Sequence, residues 1–132
     1  MVRGVSTKDA ALGGGGAQGR GGRRPIYVVL ENDALVAADL IQALEARGAC
    51  SVLHFSCPSE IRPALGRVGR VEAAFLEMGC DEAVSTGLAE ALAARGARLV
   101  LTRGEDSERV TAHGWTLLPR PFTERMVHDL LS

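Results

Sequence analysis

Aromatic side chains are scarce in this chain of 132 residues, at 4% of the total against 46% hydrophobic. A core with so few rings has to be built from Leu, Val and Ala, which suits a buried parallel sheet covered by Ala/Leu-rich helices. Lysine is nearly absent, Lys8 being the only one. The three cysteines, Cys50, Cys57 and Cys80, are an odd number at no repeating interval, which argues against a disulfide framework. No apolar run approaches the length of a membrane span, and the N-terminus lacks the apolar run of a secretory segment. Reduced thiols, a cytoplasmic location and no membrane contact are therefore expected. No Ser/His/Asp or Cys/His order suggests a hydrolase. The length fits one domain with room for a real core.

The charge is unevenly placed. The chain as a whole is −1, but residues 1–25 carry Arg3, Lys8, Arg20, Arg23 and Arg24 against Asp9, a net of +4. Residues 1–24 are rich in glycine and poor in apolar side chains, so they are expected to form a disordered tail, with the domain at 25–132. The tail contains a GxGxxG match at Gly14, Gly16 and Gly19. A dinucleotide loop needs a strand before such glycines and a helix after them. Neither is legible here, and Pro25 follows.

From Ile26 the character changes. Ile26–Leu30 is an unbroken apolar run, as expected for a strand buried on both faces. Asp33 and its neighbours offer helix caps, and an Ala/Leu-rich helix is predicted over 34–47, closed by Gly48. Further strands are predicted over 51–55, 73–76, 98–101 and 115–118. Helices are predicted over 59–67, 84–95, 105–112 and from the cap Thr123 to about 131. The segment Ala43–Ala49 recurs almost unchanged as Ala91–Ala97, marking the same helix-to-strand joint twice. Five alternations of strand and helix predict an α/β fold with a five-stranded parallel sheet and right-handed crossovers.

In such sheets the working groups lie beyond the carboxyl ends of the strands. Those ends carry Glu31, Asn32 and Asp33, then Glu77, then Thr102, then Arg120 before Pro121 and Phe122. Acids, a hydroxyl and a cation converging on one spot suit a divalent-metal or phosphoryl site. In the order and spacing of 28–36, 72–77, 99–102 and 118–122, the chain resembles the receiver domains of two-component response regulators. The resemblance covers about residues 26–131 and implies a flavodoxin-like, three-layer α/β/α fold.

The resemblance also exposes departures. The family pattern needs an acidic pair for Mg²⁺, an Asp nucleophile, a Ser/Thr hydroxyl and a Lys before Pro. These positions fall on Glu31 and Asn32, on Glu77, on Thr102 and on Arg120, with Asp33 beside the acidic pair. One carboxylate has become an amide, which weakens a Mg²⁺ site. The nucleophile is a methylene too long, and in-line phosphoryl transfer is mostly positioning and electrostatics. A guanidinium replaces the compact lysine charge, but its planar fork is shaped to hold a carboxylate. A fixed Glu77–Arg120 ion pair is expected in place of a phosphoryl-Asp and Lys. Arg103 stands where receivers keep a small residue, and Leu117 where they carry the aromatic that swings on activation; Trp115 is the nearest ring.

The resemblance thus implies a non-catalytic pseudo-receiver with no resident cofactor, a residual Mg²⁺ site on Glu31 and Glu77 being the alternative. Its expected partner is a sensor histidine kinase, a phosphotransfer protein or an output protein, contacted through the last two helices and the fifth strand. A homodimer is a further option, and no DNA-binding domain is expected after Ser132. The rival readings are a receiver that accepts phosphoryl groups through Glu77 or Asp81, and a small-ligand module of flavodoxin-like fold. Cys50, His54 and Cys57 match no closed zinc spacing. His113 and His128 are read as helix-end residues.

Overall fold

The computed structural model describes residues 2–7, 24–103 and 107–132. In chain order the elements are β1 (Val2–Thr7), β2 (Ile26–Leu30), α1 (Ala34–Ala46), β3 (Ser51–Phe55), α2 (Ile61–Leu65), β4 (Ala73–Leu76), α3 (Cys80–Ser85), α4 (Leu88–Ala93), β5 (Arg98–Leu101), α5 (Ser107–Ala112), β6 (Thr116–Leu117) and α6 (Glu124–Leu131). The strands stand in the order β1-β3-β2-β4-β5-β6. All neighbours from β3 to β6 are parallel. This is the flavodoxin-like, doubly wound order, with its switch in direction between β2 and β4.

The central strands β2, β4 and β5 are largely buried on both faces, and alternation sends their side chains to two cores. Val28 and Leu30 point into a layer with Ile61 and Leu65 of α2, Ala83 of α3, Leu88 and Leu92 of α4 and Val110 of α5. Tyr27 and Val29 face Leu40 and Leu44 of α1 and Val127 of α6. Each fully buried leucine stabilises the fold by about 1.5–3 kcal/mol. Asp33 caps α1, its Oδ1 accepting from the amides of Leu35 (2.9 Å) and Val36 (3.2 Å). Thr123 caps α6 through Met126 N (3.2 Å).

Of the disordered tail expected over residues 1–24, the described residues Val2–Thr7 pair antiparallel with β3, matching Val5 to Leu53 and Thr7 to Ser51, while residues 8–23 lie outside the described residues. The outer edge of β3 offers unpaired amides and carbonyls, and the β-branched Val2, Val5 and Thr7 suit a strand laid against it. The GxGxxG glycines lie outside the described residues. The single helix expected over 84–95 is two helices, α3 beginning already at Cys80. Between them the Thr86 hydroxyl donates back to Glu82 O (2.7 Å), and Gly87 adopts a left-handed φ of +78°. The region 59–67 opens with a 3-10 turn at Pro58–Glu60, and β6 is only two residues long.

A Cβ at Gly87 would lie 3.0 Å from Arg62 Nη1, in a backbone conformation that L-residues avoid. Gly87→Ala should therefore lower stability by about 1–2 kcal/mol in urea denaturation. Gly66→Ala, at an ordinary φ of −65°, should leave the midpoint unchanged or slightly raised.

Candidate functional site

The backbone ladder itself delivers the site residues to one place. The amide of Glu31 donates to Phe55 O (3.2 Å), that of Glu77 to Leu30 O (3.0 Å) and that of Thr102 to Leu76 O (3.0 Å). Each residue thus extends its strand by one rung, and four strand ends meet at the carboxyl edge of the sheet. There the Arg120 guanidinium, on the chain after β6, forms the centre. Its Nη2 lies 3.4 Å from Glu77 Oε2 and 3.7 Å from Glu31 Oε1. Its Nε donates to Thr102 O (3.3 Å). The Arg120–Pro121 peptide is cis.

Glu31 is the buried charge of the site, 4% exposed. Its Oε2 accepts from Asp33 N (3.0 Å), while its backbone carbonyl bonds His54 Nε2 (3.0 Å). Asp33 is committed to capping α1, and Asn32 is exposed. Glu77 meets a second guanidinium, Arg103 Nε at 3.6 Å, and Arg103 Nη1 reaches Glu82 Oε1 at 3.9 Å. Glu77 is therefore bracketed by two arginines, each fixed by another group.

Of the residues singled out in the sequence, Glu31, Glu77, Thr102 and Arg120 come together. Asn32 and Asp33 flank them without joining the ion pairs. Asp81 sits highly exposed in the first turn of α3 and pairs with Arg109 at 2.7 Å. Leu117 packs half-buried against the same core as Trp115, and Trp115 stacks on His113 with ring centroids 4.2 Å apart. Thr102 is buried, and its Oγ1 has no hydrogen-bond partner among the described residues. Sequence reasoning missed Glu82, which no motif marks, and the hydrogen bond from His54 to the Glu31 carbonyl.

Cys50, His54 and Cys57 are spread along β3, Cys50 buried at one end and Cys57 exposed beyond the other. Among the described residues no three His, Cys, Asp or Glu side chains are grouped to hold a metal ion. His128 ties α6 to α1 through Ala43 O (2.9 Å). No helix of the described residues is long and apolar enough to cross a membrane. No protein-family model, curated protein or solved structure matches this chain.

Two outcomes follow from this geometry. The Glu77–Arg120 pair is open to solvent, so Glu77→Ala should cost only about 0–1 kcal/mol. Arg120→Ala should cost more, about 1–3 kcal/mol, because the buried Glu31 carboxylate then loses its positive neighbour. Denaturant melts of the two variants rank them, and equal losses would contradict the role given to Glu31. Separately, hydrogen bonds from Ser59, its hydroxyl 3.2 Å from Cys57 Sγ, hold the Cys57 thiol below the ordinary cysteine value. Iodoacetamide should modify Cys57 before Cys50 and Cys80, at a lower pH than a free thiol, and Ser59→Ala should move that profile upward.

Proposed function

We propose that this domain is a non-catalytic pseudo-receiver, a protein-interaction module in two-component-type signal transduction. One observation carries the reading: the carboxylate at the position of the receiver nucleophile, Glu77, is bracketed by Arg120 and Arg103 at 3.4 and 3.6 Å. A nucleophile must be free to attack in line, and Glu77 is held by the charges that a transferred phosphoryl group would need. The pair instead imitates, permanently, the anion–cation contact that phosphorylation would create. The residues also do not fit Mg²⁺. Arg120 Nη2 faces an oxygen of both Glu31 and Glu77, and Asp33 is spent on a helix cap. A guanidinium already supplies positive charge where the divalent ion would be needed.

The partner class that fits is a sensor histidine kinase, a phosphotransfer protein or an output protein of a cytoplasmic pathway. Beside Arg120 the surface opens into a cleft of about 300 Å³ formed by Val36, Asp39, Arg120, Pro121 and Phe122. Leu35, at the start of α1, is 78% exposed. The apolar Val36, Pro121 and Phe122, with Arg120 in the lining and the exposed Leu35 next to Val36 in the chain, give a partner a surface whose shape depends on the ion pair.

Acetyl phosphate with Mg²⁺ provides the test. Intact-mass spectrometry should show no added phosphoryl group on the protein, at Glu77 or at Asp81; stoichiometric labelling of either would refute the pseudo-receiver reading. A pull-down should recover less of the same partner with Glu77→Gln, which breaks the ion pair, and lose it with Leu35→Asp.

A further inference from the structure

The amino ends of the strands, opposite the site above, hold a second cleft that the proposed function does not use. It has a volume of about 420 Å³ and is lined by Arg24, Pro25, Tyr27, Arg47, Arg70 and Glu72, among others. The backbone builds it: Glu72 N donates to Ile26 O (2.7 Å) and Ser51 N to Pro25 O (3.0 Å), which sets the entries to β4 and β3 on either side of that to β2. Arg47 follows α1 and is oriented by two bonds, from Nη1 to the Tyr27 hydroxyl (3.0 Å) and from Nη2 to Leu131 O (3.5 Å). The Arg70 guanidinium lies over Gly96, where a Cβ would come within 3.2 Å of its Nη1. The missing side chain at Gly96 is thus what gives Arg70 its place.

Three guanidiniums and one carboxylate leave this cleft with two uncompensated positive charges. Among the described residues none of Arg24, Arg47 and Arg70 lies within ion-pair distance of a carboxylate. Gathering like charges costs energy unless an anion offsets it. Planar forks with five donors each match phosphate oxygens bidentately. Glu72 repels a bare anion, but it accepts from the hydroxyl or amino donors of a larger molecule. The volume lies in the range of small-ligand sites. We infer that this cleft binds a nucleotide, its phosphates on Arg24, Arg47 and Arg70 and its sugar hydroxyl or base amino donors on Glu72. This site is independent of the pseudo-receiver reading and lies at the other end of the sheet.

Isothermal titration calorimetry on the full chain tests it, with ADP, GDP and inorganic pyrophosphate as probes. At least one of the two nucleotides should bind saturably, and more tightly than pyrophosphate. Arg24→Gln and Arg70→Gln, both at exposed side chains, should each weaken nucleotide binding roughly tenfold, the effect of one charge-assisted hydrogen bond. Glu72→Gln should weaken the nucleotide without weakening pyrophosphate. Circular dichroism should show all three variants folded. No saturable binding at millimolar nucleotide, or variants that bind like the wild type, would overturn the inference. Pyrophosphate binding as tightly as both nucleotides would overturn the assignment of Glu72. Tighter binding of a single-stranded oligonucleotide than of either nucleotide would replace the site with a nucleic-acid surface.

Discussion

A carboxylate with 4% of its surface exposed has to be met by hydrogen-bond donors or positive charge, and Glu31 sets that requirement at the centre of the carboxyl edge. One oxygen is satisfied locally by Asp33 N, which also shapes the turn into α1. The other faces Arg120, 3.7 Å away. To reach it, the chain after β6 must come back over the ends of β5 and β4, where Arg120 meets the Thr102 carbonyl and the Glu77 carboxylate. The backbone ladder aligns the strand ends, and the place of Arg120 over them follows from one buried charge and the long side chain that answers it.

This arrangement has a charge character unlike that of a phosphoryl switch. Arginine stays protonated throughout the physiological range. The positive side of the contact between Arg120 and its two carboxylates is therefore, on the proposed reading, supplied by the chain itself. On the proposed reading, signalling passes through the presence or absence of a partner. The second guanidinium, Arg103, reinforces this by meeting the same Glu77 oxygen, Oε2, that Arg120 contacts.

The carboxyl-edge site was largely legible in the sequence because it depends on strand ends. Four apolar runs have the bounds that hydrophobic patterning gives them, and once they are aligned, Glu31, Glu77, Thr102 and Arg120 have to be neighbours. The Asp33 and Thr123 caps were legible for the same local reason. What escaped was set by tertiary context. The break at Gly87 depends on the Thr86 hydroxyl turning back on its own helix, which competes with an otherwise continuous Ala/Leu pattern. The pairing of Val2–Thr7 depends on an open sheet edge some 45 residues away in sequence, beyond any local signal. The arginine cleft combines residues from three separate joints, none of which forms a motif.

Helix α6 spans the two ends of the molecule. It starts just after Arg120, Pro121 and Phe122, and its last carbonyls receive Arg98, at Leu130, and Arg47, at Leu131. Eight residues make a rod roughly 12 Å long. It is seated on α1 by Val127 and by the His128 bond to Ala43 O. Such a rod acts as a mechanical strut. Arg47, bonded to Tyr27, meets it at one end, and Pro121 and Phe122 line the cleft with Val36 at the other. The same eight residues thus fix the distance between the Arg120 edge of the sheet and the Arg47 edge.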